Sequence, residues 1–146
     1  MPMTAAGASS FDLQRFIDAQ APVYADVIAE LEAGAKRSHW MWFIFPQLRA
    51  LGRSSTALHY GIASIDEARA YGAHPLLGAR LTQCSALVLA TRGKTAEQIF
   101  GSIDAMKLRS CMTLFEIVAP KQPVFAGVLD AYYRGERDPL TLDALR

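Results

Sequence analysis

The chain has 146 residues, of which 51% are hydrophobic and 20% charged, so it can bury one core and is too apolar for a disordered polymer. Fifteen basic residues nearly cancel fourteen acidic ones, leaving +1, which argues against broad nucleic-acid binding through a basic surface. Its apolar runs are short: the most apolar, Trp40 to Phe45, is far below the roughly 20 residues that cross a membrane.

The opening MPMTAAGASS has neither a basic start nor an apolar signal core. Residues 1–10 are therefore expected to form a flexible tail before a single domain over residues 11–146. Two cysteines, Cys84 and Cys111, make no disulfide framework, which favours a reducing cytoplasm.

The predicted elements are helical from end to end. Ser10 can cap a helix beginning FDLQRF, and Pro22 either kinks it or opens the next piece, VYADVIAELEAG, which Gly34 stops. Ser38 precedes HWMWFIF, read as a helical turn ended by Pro46, because no convincing strand exists to pair with it. Ser54 or Ser55 can start a short helix. Ser64 with Glu67 has the capping-box form for another, closed by Tyr71 and Gly72.

His74-Pro75 opens LLGARLTQCSALVLATRG, with Gly93 past its end. Thr95 with Gln98 is a second capping box before IFG. Ser102 caps IDAMKLRSCMTLFEIVA, stopped by Pro120. Pro123 and Gly135 bracket the last full helix, and Asp138-Pro139 starts a terminal turn. The reading is all-α: about seven or eight helices in one compact domain.

Charges fall where the core should be. On the Ser102 helix, Ile103, Cys111, Leu114, Phe115 and Val118 sweep one apolar arc, while Arg109, Thr113 and Glu116 share the opposite, solvated side. Asp104 and Lys107 lie inside the apolar arc, three residues apart and able to pair. Arg80 points into the middle of the apolar face of the preceding long helix. A buried charge must be paired or face a polar cavity. Two cations against one carboxylate, in a shared pocket, would suit an anionic ligand such as a phosphate or carboxylate. The competing reading is structural: a carboxylate suits the first helical turn, Lys107 can snorkel, and Arg80 can tie two helices.

The aromatic segment SHWMWFIFPQL adds Trp40 and Trp42 as candidate stacking surfaces, with His39 a candidate acid or base and Gln47 a candidate polar contact. The segment can equally be a core anchor. No metal-ligand spacing, Gly-rich phosphate loop or nucleophile elbow is present, so no cofactor or metal is expected.

SHWMWFIFPQL, HPLLGARL and FGSIDAMKLRSCMTLF closely resemble the signature stretches of domain-of-unknown-function family 1810, a bacterial and fungal family with some members labelled calpastatin-like. The resemblance runs from about Phe11 to the terminal TLDAL. It implies a compact multihelical fold and carries no activity with it. His39, Trp40, Pro46, Gln47, Arg80, Asp104, Lys107, Ser110 and Thr113 occupy its signature positions, which adds Ser110 to the ligand-binding candidates. Cys111 stands where a second serine is usual, and Ala50-Leu51-Gly52 where Gly-Leu-Gly is usual.

Two functional expectations follow. In the first, a pocket takes an anionic nucleotide or sugar phosphate. Arg80 and Lys107 hold the anion, Trp40 or Trp42 stacks, Gln47 and Ser110 bind polar groups, and His39, Asp104 and Lys107 are the acid–base candidates. In the second, the protein is a non-enzymatic interaction module that exposes the tryptophans as a patch. In either case a monomer or weak homodimer is expected.

Overall fold

The computed structural model describes residues 11–146; the expected Ser10 cap and tail lie outside them. Among the described residues the fold is all-α, one compact domain of ten α-helices and a 3₁₀ turn at Arg49–Leu51. The helices are α1 (Gln14–Gln20), α2 (Tyr24–Glu32), α3 (Met41–Ile44), α4 (Ser55–Tyr60), α5 (Ile65–Ala73), α6 (Leu77–Ala90), α7 (Ala96–Phe100), α8 (Ser102–Val118), α9 (Val124–Tyr133) and α10 (Pro139–Ala144). None of them is long and apolar enough to cross a membrane.

Local chemistry sets most boundaries. Pro22 sits in the turn between α1 and α2. Ser54 accepts from Ala57 N–H, and Thr95 with Gln98 closes a full capping box. Ser64 caps α5 through Glu67 N–H, but the Glu67 carboxylate does not complete the expected box. It accepts from Ala63 N–H at 2.7 Å and pairs with Arg15 at 2.9 Å, making a buried ion pair. His74 Nδ1 accepts from the Leu76 and Leu77 N–H groups, so a histidine holds the entry to α6. Ser102 is the first helical residue of α8 rather than its cap. The preceding Gly101 has φ +82°, a left-handed geometry that favours glycine.

α8 is the central element, packed by α5, α7, α9 and α10, while α6 lies against α2, α5 and α9. The core joins Phe16, Tyr71, Leu81, Leu108, Met112 and Phe115 with the aromatic segment's Trp40 and Phe45. Both cysteines are free and buried, and burial pushes the Cys84 thiol up to about 11 and that of Cys111 well above its ordinary value. α5 and α6 approach so closely that a Cβ on Gly78 would stand 2.2 Å from the Gly72 carbonyl oxygen.

Two faces of α8 differ from expectation. Thr113 is fully buried, because α10 and its entry cover that side: its hydroxyl donates to Arg109 O at 2.8 Å and accepts from Asp138 N–H at 2.9 Å. Ile103, assigned to the apolar arc, is 69% exposed in the first turn.

Candidate functional site

Seven of the eight candidate residues, all but Arg80, line two adjoining chambers of one cleft between the aromatic segment and the first half of α8. The first chamber, of about 370 Å³, is lined by His39, Trp40, Trp42, Asp104, Lys107 and, unforeseen, Lys36. The second, of about 470 Å³, is lined by Gln47 and Ser110 together with the apolar Leu51, Ile103 and Met106. Trp42, Ser54 and Lys107 belong to both.

Asp104 organises the first chamber. Its Oδ2 lies 2.8 Å from Lys36 Nζ and its Oδ1 lies 3.3 Å from Lys107 Nζ, so one carboxylate is shared by two ammonium groups. The Asp104–Lys107 pair is the expected one-turn contact of α8. Lys36 arrives from the irregular stretch after α2, where its N–H donates to Ile99 O at 2.8 Å and its Nζ to Ser38 O at 2.6 Å. Each lysine also faces an indole: Lys36 Nζ is 5.0 Å from the Trp40 ring centroid and Lys107 Nζ is 5.6 Å from that of Trp42. Cation–π attraction thus holds both charges against aromatic surface.

Trp40 is a core residue, 1% exposed, and its indole N–H donates to Glu30 Oε1 at 3.0 Å. Glu30 also accepts from Arg37 N–H, Ser38 N–H and the Ser38 hydroxyl. Partial burial raises its pKa, but the hydrogen bonds from Ser38, Arg37 and Trp40 outweigh that and hold the carboxyl at about 2. Glu30 thereby ties the loop carrying Lys36 to the aromatic segment. Trp42 is 8% exposed and is the indole that walls both chambers. No exposed tryptophan patch exists. His39 is exposed at the rim of the first chamber.

Arg80 is elsewhere. Its Nη1 donates to Gln20 Oε1 at 3.2 Å and its guanidinium lies 4.4 Å from the Tyr24 ring centroid, while Gln20 Nε2 bonds Phe43 O and the Tyr71 hydroxyl. It lines neither chamber and ties α1, α2 and α6 together, so the anticipated convergence of Arg80 with Asp104 and Lys107 is absent. Lys36 stands in its place as the second cation.

Ser110 is already engaged. Its hydroxyl donates to Asp138 Oδ2 at 2.8 Å, which also accepts from the Thr141 hydroxyl at 2.6 Å, and Arg109 pairs with Asp138 Oδ1 at 3.5 Å. Burial raises the Asp138 pKa, and the hydrogen bonds from Thr141 and Ser110 with the Arg109 charge outweigh it, lowering the pKa overall. This network fastens α10 to α8. Among the described residues no group of three or more His, Cys, Asp or Glu side chains is placed to hold a metal ion.

Comparison with known proteins agrees with this architecture. Residues 10–145 match the family model described as "Protein of unknown function (DUF1810)". The conserved hypothetical protein Rv1873 from Mycobacterium tuberculosis, known from a crystal structure, is 51% identical, with a TM-score of 0.92 over 93% of this chain and 97% of that one. No curated protein matches.

Proposed function

The chain belongs to the DUF1810 family, and we propose that within it the two-chambered cleft binds a small anionic ligand of the nucleotide or sugar-phosphate class. The observation that carries this reading is the sharing of Asp104 by Lys36 and Lys107 on the wall of an open cleft. One carboxylate cannot neutralise two ammonium groups, so the chamber retains positive charge beside the Trp42 indole. Cleft volumes of 370 and 470 Å³ lie within the range usual for small-ligand sites. The exposed-patch reading has less support, since neither tryptophan is on the surface.

His39, Asp104 and Lys107 line the first chamber, which supports reading them as the groups for any proton transfer to a bound anion. The free, buried cysteines suit a cytoplasmic protein.

A thermal-shift screen against inorganic phosphate, sugar phosphates and nucleotides tests the reading. A ligand at a hundred times its Kd adds about 2.7 kcal/mol, several degrees in a domain of this size. The shift is expected to vanish in Lys107→Ala and to persist in Arg80→Ala. Absence of any shift, at concentrations that would saturate a millimolar site, overturns it. Turnover of a bound nucleotide that is lost in His39→Ala would add catalysis to binding.

A further inference from the structure

We infer that the second chamber recognises a nucleobase through the side-chain amide of Gln47, so that the anion of the first chamber is the phosphate of a nucleotide. This rests on the anion-binding reading above and narrows it.

Gln47 is 5% exposed and lines the second chamber, yet among the described residues its side-chain amide has no hydrogen-bond partner. Its backbone, by contrast, is held: Gln47 O accepts from Ile62 N–H at 2.9 Å. The side-chain oxygen or nitrogen that is both sealed from solvent and unpartnered among the described residues is Ser85 Oγ, not either amide atom of Gln47. The Gln47 amide therefore keeps contact with solvent, and the chamber is the open space that Gln47 lines. In an open cleft water meets such an amide, and a ligand group of matching polarity can take that water's place.

A glutamine amide presents a donor and an acceptor side by side in one plane. Nucleobase edges return the complementary pair, as adenine does with its N6 amino group and N7. A phosphate offers acceptors alone and is served by the neighbouring lysines. Trp42, Ile103 and Met106 also line the chamber, the last two 69% and 70% exposed, and supply apolar surface for a ring. Apolar side chains left that open on a polar cleft gain by being covered. Arg109 and Ser110 are engaged by Asp138, while the charged Arg53 and Glu97 line the chamber beside the neutral Gln47 amide. Lys107 and Trp42, common to both chambers, mark where base and phosphate portions of one ligand would join.

Calorimetric titration of the whole chain with the four nucleoside 5′-monophosphates, ribose 5-phosphate and inorganic phosphate tests this. At least one nucleotide is expected to bind about tenfold or more tighter than ribose 5-phosphate, and Gln47→Met to erase that margin while leaving ribose 5-phosphate unchanged. Should Gln47→Met fail to fold, Gln47→Glu keeps the shape and the acceptor, drops the donor, and must likewise shrink the margin. Equal affinity for nucleotides and ribose 5-phosphate in the unmodified protein overturns the nucleobase assignment and leaves the anion site standing. A margin that survives loss of the amide overturns the role of Gln47. No binding of any of these compounds removes both this assignment and the proposed function beneath it.

Discussion

Lys36 Nζ and Asp104 Oδ2 lie 2.8 Å apart, joining a loop lysine after α2 to the first turn of α8. Both residues line the first chamber, and Lys107 is the second claimant on the same carboxylate. Truncation in Asp104→Ala leaves the mostly buried Lys36 ammonium without its anion. A loss of about 1–3 kcal/mol in urea unfolding is expected. Phosphate binding should move oppositely, tightening by about tenfold, since two cations then face the ligand alone. Unchanged stability together with unchanged binding would show the carboxylate to be idle.

The pH dependence of Glu30 has a definite sign. Its folded-state pKa is about 2 against an ordinary 4.5, so the unfolded chain takes up the proton first as acid is added. Its stabilisation is complete above the ordinary value and is lost as the pH falls from about 4.5 toward 2. Urea midpoints at about pH 5.5 and about pH 3 should fall more steeply for the native chain than for Glu30→Gln, which has no carboxylate to titrate. Parallel slopes would remove Glu30 from the acid response.

Arg80 separates structural from binding charge. Arg80→Ala breaks the contact to Gln20 and uncovers Tyr24, so a stability loss of about 1–2 kcal/mol is expected. Phosphate affinity should stay within about twofold of the native value, because the guanidinium lines neither chamber. A large loss of affinity at intact stability would contradict the placement.

Gly78 tests the packing of α5 on α6. The methyl group of Gly78→Ala would meet the Gly72 carbonyl oxygen at 2.2 Å, and a backbone oxygen cannot swing aside like a flexible side chain. The helices must part, at about 1–3 kcal/mol. Thermal unfolding of the variant, read by circular dichroism, should show a lower Tm with native helix content below it.

Much of the fold is legible from neighbours along the chain. Ser54, Ser64, Thr95 with Gln98 and Asp138 announce helix starts because a cap acts within three residues. The Asp104–Lys107 pair is equally local. The site's remaining geometry is not. A helical wheel gives the direction of Arg80 about its own helix and says nothing of which helix stands there; it turned out to be α1 and α2. Thr113 reads as solvated until α10 folds over it. Lys36 lies in an irregular stretch with no period to place it, and nothing nearby in sequence indicates that it meets Asp104. Gln47 is identifiable as a polar residue after Pro46, but that its amide has no hydrogen-bond partner among the described residues emerges only once the cleft is assembled.

The isolated parallel bridge between Leu48 and Ile62 holds the backbone next to Gln47, with Arg49 N–H donating to Ile62 O at 2.8 Å and Ile62 N–H to Gln47 O at 2.9 Å. The backbone at Gln47 is thus ordered by folding itself. An incoming molecule does not have to freeze that segment, so the entropy of fixing it is charged to the domain's stability rather than to the complex. The segment is in this sense preorganised, and for the proposed ligand, weakening the bridge is expected to lower affinity without altering any side chain of the cleft.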